Sequence, residues 1–173
     1  MFIELIGVFF AGVAVAGVVM LVNRATGNRL PKWLVPVGAG LAMLGTTISN
    51  EYTWYDRTSV NLPEGLAIAQ TVENKSPIRP WTYAKPFVSR FVAVDIATMR
   101  TNPTQPDQRM VTLYFFGRWS PINSGPVVFD CAQNRRADLI DGAEFDASGA
   151  LPDNAWRRVA PDDPVLLTTC KAA

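Results

Sequence analysis

Histidine is absent from all 173 residues. Without an imidazole, histidine-based catalytic triads, histidine-ligated haem and most zinc sites are excluded. Cysteine is scarce: Cys131 and Cys170 are the two in the chain, and no CxxC pair exists to act as a redox motif. Ser89 and Ser120 lack a G-x-S-x-G setting, and no phosphate-binding glycine loop is present. No cofactor is indicated. Charge is missing where apolar residues are densest, since Phe2 to Val22 carries one ionisable side chain, Glu4, in 21 residues.

That first apolar run is long enough, at about 1.5 Å of rise per residue, to cross a bilayer core as a helix. No basic segment precedes it and no small-residue cleavage motif follows, so it reads as a retained span and not a removed signal. A second run, Trp33 to Ser49, is shorter. It reaches spanning length if Leu30 and Asn50 to Trp54 lie in the interfaces, and Pro36 is tolerable near a helix start. The alternative is a buried core helix. The reading adopted is a transmembrane helical hairpin over residues 1–48, with spans at about 2–22 and 31–50.

The turn between the runs, 23–32, contains Arg24, Arg29 and Lys32 and no acid. Short basic loops stay cytoplasmic, which puts the N-terminus and residues 49–173 on the other side. Trp33, and Tyr52, Trp54 and Tyr55, fit the aromatic belts of the two interfaces. Small residues recur along both runs: Gly7 with Ala11, Gly12 with Ala16, Gly38 with Ala42, then Gly45. Such spacing lets helices approach closely, within the hairpin or against a larger membrane complex or second copy. Glu4 is read as reaching the headgroups and not as a proton relay.

The net charge of +1 hides a split. The hairpin holds three basic residues and one acid, leaving 13 basic and 14 acidic residues for the remainder. A nearly neutral domain indicates neither nucleic acid nor an anionic surface as a partner. Both cysteines fall in this exported part, where pairing is expected over free thiols. Closing a loop of that length would contribute roughly 3–4 kcal/mol in the chain-entropy model.

The pattern of residues 49–173 is that of a small, mainly antiparallel β domain. A turn at Leu62-Pro63-Glu64-Gly65 precedes a strand over Leu66–Glu73. Pro77, Pro80 and Pro86 then predict an extended loop. This loop carries Trp81, Tyr83 and Phe87 with Arg90 nearby, a set that could cover the core, meet a membrane interface or hold a ligand. Phe87–Met99 and Arg109–Trp119 are strong strands paired through the TNPTQPDQ connection. SPINSG reads as a further turn. Val127–Cys131, Arg135–Ile140, Asn154–Val159 and Val165–Thr169 read as short strands, with a tight turn at Asp146-Ala147-Ser148-Gly149.

Residues 127–170, with Asp130, Cys131, Asp146, Gly149, Trp156, Pro161 and Cys170, resemble the C-terminal half of the surface-adhesin-E-like group of small bacterial envelope proteins. The resemblance covers about a quarter of the chain. It implies a Cys131–Cys170 disulfide and a small β domain, and it carries no adhesion activity with it. Members of that group use a signal peptide or lipid anchor, unlike the N-terminal hairpin read here.

No catalytic constellation is legible. Asp138, Asp141, Glu144 and Asp146 cluster, but without the order of a calcium loop, and read as a solvated hairpin face. Asp95 and Asp130 are the remaining candidates for a carboxylate pair. The expectation is therefore a non-enzymatic protein of a bacterial inner membrane with a periplasmic β domain, acting by protein contact as an accessory subunit or envelope factor. The alternative is a ligand-binding or sensing module using Trp81, Tyr83, Phe87 and Arg90.

Overall fold

The computed structural model describes residues 2–139 and 150–172. The chain divides into two compact units, Met1–Arg57 and Thr58–Ala173.

The first unit contains helices α1 (Phe2–Ala25) and α2, which spans Leu34–Val60 and ends in the second unit. The two run antiparallel. Gly12 lies directly against the Met43 side chain, and Gly38 sits where a Cβ would be 3.4 Å from Val19 and 3.5 Å from Val15. Glu4 and Arg57 form an ion pair at 3.6 Å. The inward residues of α1 (Val8, Ala11, Gly12, Val15 and Val19) recur at three- and four-residue steps, as one face of a helix must. Asn23 closes the turn, its side-chain oxygen accepting from the Leu30 N–H at 2.9 Å.

The expected pair of spans is corrected by α2. Among the described residues one helix, α1, is long and apolar enough to cross a membrane. The apolar part of α2 stops at Ile48, and Ser49-Asn50-Glu51 continue the same helix without a break. Backbone hydrogen bonding carries the helix on after its hydropathy has fallen.

The second unit is a six-stranded antiparallel meander in the order β1-β2-β3-β4-β5-β6. Its strands are β1 (Leu66–Asn74), β2 (Phe87–Asn102), β3 (Gln105–Gly117), β4 (Ser120–Asp130), β5 (Arg135–Asp138) and β6 (Arg157–Arg158). A one-turn helix, α3 (Trp81–Ala84), interrupts the β1–β2 connection, and α4 (Pro164–Lys171) closes the described chain. Gly65 enters β1 at φ +94°, where an added Cβ would strike Ala97, so glycine is required there.

Several local expectations change. SPINSG is strand and not turn, because Ser120–Ser124 pairs with the end of β3. Pro121 and Pro126 are tolerated because β5 pairs only with Val127–Asp130, leaving the earlier part of β4 as an edge. The TNPTQPDQ connection shrinks to Pro103-Thr104, with Asn102 Oδ1 accepting from the Thr104 N–H and hydroxyl. Asn154–Val159 contributes a 3-10 turn and a two-residue strand. The Asp146–Gly149 turn and Asp141, Glu144 and Ile140 lie outside the described residues.

Val165–Thr169 is helix and not strand. Asp163 caps it, accepting from the Val165 and Leu166 N–H groups at 2.9 and 3.0 Å, with Pro164 at the first helical position. The cap points Val165, Leu166 and Thr169 at one sheet face, where they bury Val94, Val111, Leu113, Val127 and Phe129. The alternate face holds a smaller cluster of Val128, Ala137 and Leu151, flanked by Met110 and Trp156. Successive residues Val127, Val128 and Phe129 are thus all buried, on alternating faces.

The far end of α4 is fixed twice. The Cys131–Cys170 disulfide joins it to the end of β4. Arg109 of β3 donates from Nη1 to the carbonyls of Thr169 and Cys170, both at 2.8 Å, supplying partners for two terminal helix acceptors. We expect Arg109→Ala to destabilise the second unit by about 2 kcal/mol, lowering its thermal midpoint by roughly 10 °C. The exposed neighbour Arg100→Ala should stay within about 0.5 kcal/mol; circular-dichroism melts compare the two.

Candidate functional site

Asp130 organises the hairpin between β4 and β5. Buried at the end of β4, it accepts through Oδ1 from the Ala132 and Gln133 N–H groups at 3.1 and 3.0 Å. Its Oδ2 receives Arg135 Nη2 at 2.8 Å. Asn134 takes φ +49° to complete the turn, a conformation asparagine accepts more readily than most residues. The Arg135 guanidinium, held by this ion pair, lies 4.8 Å from the Trp156 ring centroid.

Around that stack is a groove of about 600 Å³, lined by Gln133, Asn134, Arg135, Asp153, Trp156, Arg158, Val159 and Pro161. The volume lies in the range of small-molecule sites. Its walls offer an aromatic face, two guanidinium groups, two side-chain amides and the Asp153 carboxylate. Register explains the charge: Arg135 opposes Arg158, and Arg136 opposes Arg157. Like charges directly across a ribbon are unfavourable. Asp130 offsets Arg135, and Asp138 meets Arg136 at 3.5 Å. Sequence reasoning had picked out Asp130 and Trp156 without linking them through Arg135, because the Arg-on-Arg register is visible only once β5 and β6 are paired.

The aromatic loop residues are dispersed. Phe87 is buried, with Arg79 over its ring at 5.8 Å, whereas Tyr83 and Arg90 are exposed. Trp81 is half-buried, and its indole N–H is buried with no hydrogen-bond partner among the described residues. The expected extended loop instead contains α3, starting after Pro80, where proline suits a helix entry. Thr82 holds it in place: its buried hydroxyl donates to Arg79 O at 2.7 Å and accepts from the Ser76 N–H at 2.9 Å. A lone threonine among prolines gave no warning of this.

Asp95 and Asp130 do not form a pair. Asp95 bonds the Thr98 hydroxyl and N–H, while Asp130 is spent on its turn and Arg135. Among the described residues no group of three or more His, Cys, Asp or Glu could hold a metal. Of the small residues, Gly12 and Gly38 meet the opposite helix, and Ala11, Ala16 and Ala42 are half-buried. Gly7 and Gly45 face open space. No family model, curated protein or solved structure matches the chain.

Asp130→Ala removes both the turn acceptor and the partner of Arg135, and should cost about 3 kcal/mol. Asp130→Asn, which retains an acceptor for the turn amides, should cost less. Urea unfolding of the two variants tests this order; equal midpoints would show that the turn does not depend on the carboxylate.

Proposed function

We propose that this is a non-enzymatic, membrane-anchored protein that works through protein contacts, as an accessory subunit or envelope factor of a bacterial inner membrane. The observation that carries the reading is the surface of α1: it is apolar along a membrane-spanning length, and almost none of it is buried. A helix apolar all round, with only one narrow face covered by α2, calls for lipid or a partner.

A disulfide in the β domain agrees with an oxidising, periplasmic compartment. The outward Gly7 and Gly45 leave close-approach positions for a further helix, from a partner or a second copy.

A second reading, ligand binding, is favoured by the groove around Arg135 and Trp156 more than by the loop of Trp81, Tyr83 and Phe87, whose side chains are dispersed between interior and solvent.

Purification of the full chain from native membranes in mild detergent, with co-purifying proteins quantified, tests the first reading. A stoichiometric partner lost on Gly7→Leu or Gly45→Leu is expected, and a lone protein would count against it. Gly12→Leu should act differently, by forcing α1 and α2 apart. Spin labels at Gly7→Cys and Gly45→Cys should report a narrow interhelical distance that broadens when Gly12→Leu is added.

A further inference from the structure

The connection between β1 and β2 and the tight turn between β3 and β4 lie at one end of the sheet. Asn74 is aligned with Phe87, Arg90 with Gly117 and Phe91 with Phe116, and the Arg118 N–H donates to Ser89 O at 2.9 Å. This end collects exposed apolar side chains: Ile78, which is 87% exposed, Trp119 at 54%, and Tyr83, Phe115 and Ile122. Single exposed hydrophobics are ordinary, but five from three separate segments share this one end of the sheet. Lys75, Arg79, Lys85 and Arg90 lie in the same segments, against one acid, Glu73, while Arg118 is buried. The Arg118 guanidinium stands 4.9 Å from the Trp119 ring centroid.

We infer that this end of the β domain docks on anionic phospholipid headgroups of the bilayer that holds α1. The inference rests on the membrane-anchored reading above. The composition selects lipid over protein. Tryptophan and tyrosine settle at headgroup depth, isoleucine and phenylalanine enter the acyl boundary, and long basic side chains reach back to phosphates. Protein interfaces, by contrast, are poor in lysine.

The test uses the full chain in lipid nanodiscs, carrying a polarity-sensitive fluorophore at Ile122→Cys, with Leu167→Cys on α4 as the comparison site. Non-reducing electrophoresis checks that Cys131 and Cys170 remain paired. In discs containing phosphatidylglycerol the Ile122 probe should shift to the blue and lose iodide accessibility several-fold relative to pure phosphatidylcholine, and the Leu167 probe should not. Lys75→Glu with Lys85→Glu and Arg90→Glu should restore accessibility. An Ile122 probe equally accessible in both lipids overturns the proposal, as does protection that requires added membrane proteins. Carbonate washing of native membranes separates the two readings. Release of the chain refutes the anchor, whereas a retained chain with a water-exposed probe refutes the docking alone.

Discussion

Helix α4 can cover the sheet only if both of its ends are held, because eight residues form a helix too short to persist alone. Asp163 satisfies its first N–H groups, Arg109 receives its last carbonyls, and the disulfide ties Cys170 to the end of β4. Between those clamps Val165 and Leu166 seal the core over Val94, Leu113 and Phe129. A six-stranded meander with one uncovered face would expose this whole cluster to water. The clamp turns an open sheet into a domain.

The same strand end serves a second purpose. Cys131 follows Asp130 directly, so the turn that positions the disulfide is the turn that positions Arg135 beneath Trp156. Core closure and the groove are therefore coupled through one carboxylate. The opposite end of the sheet is free of that duty, and there the apolar and basic side chains turn outward. The β domain thus has one end built for internal cohesion and one end where exposed apolar and basic side chains collect.

Patterns with a short range were legible in the residues. Strands β1, β2 and β3 follow runs of β-branched and aromatic residues, and the Pro63–Gly65 turn precedes β1 where its glycine predicts. The apolar character of α1 was equally plain. The second helix misled, because an apolar run followed by aromatics looks like a span with an interfacial belt. Val165–Thr169 misled in the other direction: five β-tolerant residues outweighed the Asp163-Pro164 pair, although that pair is a helix start. The candidate site was least visible, since Asp130, Arg135, Trp156 and Arg158 are brought together by pairing across three strands and acquire meaning only through register.

By itself, then, the sequence determined what depends on neighbours along the chain: one apolar helix long enough for a bilayer, a basic turn, alternating strands, and the exclusion of imidazole chemistry. Tertiary structure alone decided how α2 runs back along α1, which face α4 seals, which arginines oppose one another, and that two distant loops share one exposed end. The reason is physical. Helix and strand propensity and local caps act over a few residues, whereas packing, cross-strand register and the Arg109–Cys170 contact join positions about sixty residues apart, where nothing in the local pattern records the partner.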